Sequence, residues 1–225
     1  MLRAPLDFNL SEAEPEAGRR FGMRLLMPVA VGLTQYEDFV DIPELDIEDI
    51  QSISVVPGVE FPIWLTDEWT LSPFAQLGFG MDTKSDSRSI IWGSGARVRW
   101  EPRDAPQWLV GGEFLWAGNN PNNNQPTTDF TRWGVGAEYR IDTQQQLFDR
   151  EISWHLRALL WQYSDALRFE PPLQLFKLNS ATEVGVSVGF SRPFNIFGYK
   201  FHQGGIGYEW ADDFKAVKFY TTFPF

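Results

Sequence analysis

No cysteine occurs in the chain, so disulfides cannot brace it, and thiolate metal sites and cysteine nucleophiles are excluded with them. Histidine is nearly as scarce. His155 and His202 are the only two, too few for a multi-histidine zinc centre, and neither a metal nor another cofactor is expected. Long apolar runs are missing as well, since no stretch approaches the ~18 consecutive apolar residues that a spanning helix needs. Positive charge is in short supply: 19 Lys and Arg against 30 Asp and Glu give a net charge of −11. That balance argues against nucleic acid, because a phosphate backbone requires clustered cations. No leader is visible, since Met1 is followed by Leu2-Arg3-Ala4-Pro5 and then by acidic residues. The chain reads either as cytosolic or as a mature form whose leader has given way to a start methionine.

What the sequence does have is aromatic surface, 16% of 225 residues, in a chain whose mean hydropathy is slightly negative. Both facts hold together if apolar residues alternate with polar ones. Residues 1–19 show no periodicity and read as a polar N-terminal tail, leaving 20–225 as a single domain. From Phe21 the alternation begins: Phe21, Met23, Leu25, Met27, Val29, Val31 and Leu33 share one face, with Arg24, Pro28, Ala30 and Gly32 on the other. A period of two is the signature of a strand with one apolar side. Later segments repeat it, for example Trp133, Val135, Ala137, Tyr139 and Ile141 against Arg132, Gly134, Gly136, Glu138 and Arg140. About ten such segments can be counted, the even number expected of a single-chain barrel, or twelve if Phe169–Leu178 adds a hairpin.

Connections differ in length. Gln35–Gln51, Asn119–Thr128 and Ser164–Ser180 are long and polar, whereas Thr66–Glu68 and Pro102–Pro106 are short. The apolar rows carry Trp and Tyr near segment ends, among them Trp69, Trp100, Trp108, Trp154 and Trp210, as an interfacial girdle requires. These features predict an all-β fold, a transmembrane antiparallel up-and-down β-barrel with long loops at one end. A soluble β-sandwich with an aromatic core is the competing architecture, and its strands would be shorter.

The last segment sharpens the expectation. Val217, Phe219, Thr221, Phe223 and Phe225 occupy every second position up to a terminal aromatic, and this run resembles the terminal β-signal of Gram-negative outer-membrane barrels. Among these, the chain is loosely similar to the small solitary autotransporter-like barrels. The resemblance implies export to the outer membrane, reading of that run by the barrel-insertion machinery, and contact with outer-membrane lipids and lipopolysaccharide; an even strand count then puts both termini on the periplasmic side.

Charges of both signs fall on the face opposite the apolar rows: Arg97, Arg99, Glu113, Arg132, Glu138, Arg140, His155, Arg157 and Glu183, with Glu151 beside them. Neighbouring strands would bring them within cross-strand reach. The expected arrangement is a charge-paired, largely occluded interior, because buried charges persist when paired. It implies a structural or surface-interaction protein with an unidentified surface ligand or protein partner. The second reading is a narrow channel for small anionic solutes along an arginine-rich wall. A third is a lipid-modifying enzyme. Ser153 and His155 share the inward face and could act as nucleophile and base if Glu138 or Glu183 oriented the imidazole. They are the only candidate couple, in the reverse order to the His-x-Ser of outer-membrane lipid A deacylases, and no enzymatic role is expected. The acidic loop Asp38–Asp49 lacks the ligand order and central glycine of an EF-hand and reads as solvated, with weak divalent-cation binding as its sharper alternative.

Overall fold

The computed structural model describes residues 2–4, 7–14, 18–33, 50–82, 87–122, 127–167, 178–196, 199–211 and 214–225. The acidic loop 38–49, the core of the asparagine-rich loop and most of the possible extra hairpin at 169–178 lie outside them. Every element among the described residues is a β-strand or a bridge: β1 (Leu2–Ala4), β2 (Asp7–Ser11), β3 (Met23–Leu26), β4 (Val29–Leu33), β5 (Ile50–Val55), β6 (Gly58–Glu60), β7 (Ile63–Trp64), β8 (Trp69–Asp82), β9 (Ser87–Trp100), β10 (Trp108–Pro121), β11 (Thr128–Leu147), β12 (Arg150–Leu167), β13 (Leu178–Ile196), β14 (Tyr199–Ala211) and β15 (Phe214–Tyr220). The main hydrogen-bonded order is β1-β4-β5-β8-β9-β10-β11-β12-β13-β14-β15, and the registers given below are antiparallel. The fold is thus an all-β antiparallel sheet. The order is open, with no ladder joining β15 to β1 among the described residues.

Each alternating segment of the sequence falls at least partly on strand, but two are interrupted and the last runs past the end of its strand. The segment from Phe21 to Leu33 divides at Met27-Pro28, and that from Ile53 to Leu65 divides at Val56-Pro57 and Phe61-Pro62. Proline cannot donate to a ladder, so each break falls where a proline stands. Its carbonyl still accepts: Pro28 O from Val56 N–H at 3.2 Å, Pro57 O from Leu77 N–H at 2.9 Å, and Pro62 O from Gly22 N–H at 2.8 Å. The N-terminal residues read as a tail include two strands. Leu2–Ala4 pairs with Val29–Val31 of β4, and Asp7–Ser11 pairs with β3. Their pairing to existing edges supplies the backbone partners that period-two patterning did not reveal.

The chain forms two compact units. The first comprises 1–64, 71–96 and 115–129. Within it β3 pairs β6 in the register Arg24↔Glu60, and β6 pairs β8 with Glu60↔Phe74. Leu26, Phe74 and the carboxylate of Glu60 are buried together on one side. Phe21, Leu77 and Phe79 are exposed on the other.

The second unit comprises 65–70, 97–114 and 130–225. The registers Glu138↔Arg157, Arg157↔Gly185 and Gly185↔Gly207 run straight across β11 to β14, so residues of like parity line one face. Its buried apolar cluster is Leu159, Trp161, Ala181, Phe223 and Phe225. Here the row expected along the last segment divides. Val217 and Phe219 are exposed, 59% and 84%, while Phe223 and Phe225 are 5% and 8% exposed. Strand β15 ends at Tyr220, and a bend at Thr221-Thr222 takes the chain to the opposite, polar face. Three glycines make room for it. A Cβ on Gly111 would meet Phe225 at 2.5 Å, one on Gly134 would meet Trp161 at 2.2 Å, and one on Gly136 would meet Leu159 at 2.3 Å.

Two hydrogen-bonded turns frame this unit's strand ends. Glu68, after β7, accepts from Arg103 N–H at 3.0 Å and from the Trp100 indole at 3.3 Å. Those two donors hold its carboxyl below the usual carboxylate range. Between β11 and β12, Leu147 pairs with Arg150, and the central Phe148 and Asp149 both have positive φ, 51° and 58°. That is the backbone of a tight I′ hairpin, which favours Asn-Gly. Phe148 is 72% exposed, so it loses little packing if replaced. Substituting Asn-Gly at 148–149 should therefore stabilise the protein by about 1 kcal/mol, seen as a higher thermal midpoint of the full chain in detergent. An unchanged or lower midpoint would show that Phe148 packing against Phe194 outweighs the turn.

Candidate functional site

The polar face of the second unit carries three linked clusters. In the first, Glu113 of β10 accepts from Arg97 Nε of β9 at 2.9 Å and pairs with Arg132 of β11 through its other oxygen. The Arg132 guanidinium also lies 4.4 Å from the Trp161 ring centroid. In the second, Arg157 of β12 is bonded to Glu183 of β13, Lys218 of β15 lies 3.4 Å from Glu183, and Lys218 also pairs with Glu209 of β14. The ring of Tyr220 lies against the Arg157 guanidinium. Glu113, Glu183 and Glu209 are buried, as is Arg157. A buried carboxylate is tolerable only when opposite charge and hydrogen bonds offset its desolvation, and each of these has a cation beside it.

The third cluster is built on β11 to β14. His155 Nδ1 lies 2.7 Å from Glu138 Oε1, and His155 Nε2 lies 3.0 Å from Ser153 Oγ. Glu138 Oε2 accepts from Gln203 Nε2 at 3.2 Å, and the same amide bonds Ser187 Oγ. Period two puts Ser153 and His155 on one face of β12, and the diagonal across the ladder places Glu138 beside the ring. Gly189 of β13 stands directly opposite Ser153. A Cβ there would fall 2.5 Å from His155 Nε2 and 2.8 Å from Ser153 Oγ, so only glycine leaves the serine–imidazole pair its space. In the tautomer with the ring proton on Nδ1, His155 donates to Glu138 and its Nε2 accepts from the serine hydroxyl.

Ser153 and His155 border a cavity of about 440 Å³, whose wall also includes Arg140, Asp142, Thr143, Phe190 and Gln203. It lies at the strand ends next to the Phe148-Asp149 turn. Arg140 Nε is 2.9 Å from Asp142 Oδ1 without the angle of a hydrogen bond, and it is a buried donor lacking an acceptor. No group of three or more potential metal-binding side chains occurs among the described residues.

Of the charged residues singled out in the sequence, Arg97, Glu113 and Arg132 come together, as do Arg157 and Glu183, and Glu138 and His155. Arg99 and Arg140 do not join these cross-strand clusters. They pair along their own strands with Glu101 at 2.7 Å and Asp142 at 2.9 Å, towards strand ends. Sequence reasoning passed over Ser187, Gln203, Glu209 and Lys218 as network members. Their parity on β13, β14 and β15 was the available signal, since each opposes an apolar row. Of the proposed insertion run, Val217 and Phe219 stay on the apolar face, Thr221 is half-buried at the bend, and Phe223 and Phe225 lie in the buried cluster.

Removing one charge from the second cluster strands its partners. Glu183→Gln should destabilise the chain by about 3–5 kcal/mol, whereas Arg157→Met combined with Glu183→Leu should recover most of that loss. Denaturant unfolding of the single and double variants in detergent measures both, and a single-variant cost below about 1 kcal/mol would contradict the pairing. No family model, curated protein or solved structure matches the chain.

Proposed function

We propose that this chain is an outer-membrane β-barrel with a structural or surface-interaction role and a charge-paired, largely occluded interior. One observation carries the reading: in each unit one face of the sheet exposes a row of large apolar side chains, while charged side chains on the other face are buried. Leu77, Phe79, Trp133, Val135, Leu160, Val217 and Phe219 are exposed, while Glu60, Glu113, Glu138, Arg157 and Glu183 are buried. In water this ordering is unfavourable, because solvating apolar surface costs roughly 25 cal/mol per Å². Against hydrocarbon it is the expected one.

Strand length agrees. β8, β9 and β10 have 14 residues each, and β11 has 20. At ~3.3 Å per residue and a tilt near ~40°, fourteen residues span roughly 35 Å, enough for the apolar band. Aromatic pairs near strand ends, Trp69 with Trp100 and Trp108 with Tyr139, suit the interfacial girdle. The alternation Val217, Phe219, Thr221, Phe223, Phe225 supports export as a linear signal read before folding, after which its last two aromatics turn inward. Outer-membrane lipids and lipopolysaccharide are then the partners of the apolar face. The narrow anion channel is less favoured, because Arg97, Arg132 and Arg157 are spent on buried carboxylates and Phe223 and Phe225 occupy the polar face.

Two measurements on the full chain test this. Extracted in detergent, the folded protein should run as a distinct band in SDS until boiled, and in planar bilayers it should give no stable conductance. A single band before and after boiling would reject the barrel, and a sustained anion-selective current would replace the occluded interior with the channel.

A further inference from the structure

We infer that Ser153, His155 and Glu138 form a hydrolytic acyl-transfer site for small carboxylic esters, open to the cavity beside the Phe148-Asp149 turn. The geometry has the three relations such chemistry needs. A hydroxyl lies 3.0 Å from a ring nitrogen, the other ring nitrogen lies 2.7 Å from a carboxylate, and that carboxylate is held from behind by Gln203. Glu138 and His155 side chains are 5% and 14% exposed, so the base is fixed and shielded, while Ser153 borders the cavity. Ion pairing alone does not call for a glycine opposite the serine, nor for a hydroxyl on the free ring nitrogen. Gly189 keeps that space clear. Arg140, directly opposite His155 in the ladder and paired with Asp142, contributes a guanidinium to the cavity wall.

The reaction balances with water as its only co-reactant. Ser153 Oγ attacks the ester carbonyl carbon and its proton passes to His155 Nε2. The carbon–oxygen bond to the leaving group breaks as Nε2 returns that proton, releasing the alcohol and leaving an acyl-serine. Water then attacks the acyl carbon, yielding its proton to Nε2. Ser153 Oγ departs with that proton, and the free carboxylic acid leaves. Glu138 touches no reacting atom; it positions the ring and stabilises the imidazolium.

Substrate class follows from the side of the sheet on which the hydroxyl stands. Ser153 is on the polar face, whereas its neighbour Trp154 is on the apolar one, so acyl chains lying against the apolar face do not reach Oγ. A cavity of about 440 Å³ on that side is near the small end of ligand pockets, which suits a short acyl group.

The test uses the full chain folded in detergent, with folding checked on every variant by the boiling-dependent gel shift or by denaturant unfolding. The probes are a fluorophosphonate and p-nitrophenyl butyrate. Labelling should fall on Ser153 by peptide mass spectrometry, disappear in Ser153→Ala, and drop at least tenfold in His155→Gln. Hydrolysis should fall about 100-fold or more in kcat/KM in both. Glu138→Gln should lower kcat at least about tenfold with KM nearly unchanged, a split that loss of packing alone would not give. Folded wild-type protein that is unlabelled, is labelled elsewhere, or hydrolyses the ester no faster than Ser153→Ala would overturn the site. Those outcomes do not depend on membrane insertion, so the site and the barrel stand or fall separately.

Discussion

An ionised carboxylate cannot be left in a medium of low polarity without a counter-charge, and in this protein that constraint governs the sheet. Glu60, Glu113, Glu138, Glu183 and Glu209 are all buried. Each comes from a different strand, and each finds a cation or an imidazole on a neighbouring one. Cross-strand register is therefore fixed by charge as well as by apolar patterning. A slip of one residue would send Arg157 to the apolar face and leave Glu183 with Lys218 as its remaining cation. Ladders with apolar residues on both faces could tolerate such a slip far better.

Packing answers a second demand on the same face. Long ionic side chains cannot fill all the space between themselves, and glycine at 111, 134 and 136 leaves a trough along β10 and β11. The segment after Tyr220 fills it with two phenylalanine rings, each contributing roughly 2–3 kcal/mol by leaving water. Trp161 joins both systems. Its ring packs on Phe225 at 5.2 Å and lies under the Arg132 guanidinium. Apolar filling and charge pairing thus share a side chain, so a change at the rings is expected to reach Arg132 and its partner Glu113.

Period-two alternation made the strands and their two faces legible. It did so because every second residue of a strand must share a solvent, whichever solvent that is. It could not show the prolines as interruptions, since Pro28, Pro57 and Pro62 each sit in phase with their rows and differ only in lacking an N–H. Nor could it show β1 and β2, which are held by backbone pairing to existing edges. At the last segment the pattern misled. Phe223 and Phe225 have the spacing of the apolar row, yet two threonines allow a bend, and glycines on β10 and β11, over seventy residues earlier, provide a place to go. Such long-range complementarity leaves no local trace. For the candidate site, parity placed Ser153 and His155 together, but choosing Glu138 rather than Glu183 required the register. Glu183 is already engaged by Arg157 and Lys218.

The division of labour between those two carboxylates explains how a site can exist on a face otherwise given to charge neutralisation. Glu183 faces a guanidinium and an ammonium, and its bonds serve to hold β12, β13 and β15 in register. Glu138 faces a histidine and an amide, neither of which carries an obligatory charge. An Arg in place of His155 would neutralise Glu138 more fully and could still bond Ser153 as a donor, but it would leave that hydroxyl with no base. An imidazole is the one side chain that satisfies the buried carboxylate through one nitrogen and remains a proton acceptor at the other. Gly189 opposite, with no side chain to press on either partner, preserves that second nitrogen for the serine. The sheet's requirement for pairing is met at Glu138 by a ring N–H instead of a fixed cation, and the proposed reactivity rests on that substitution.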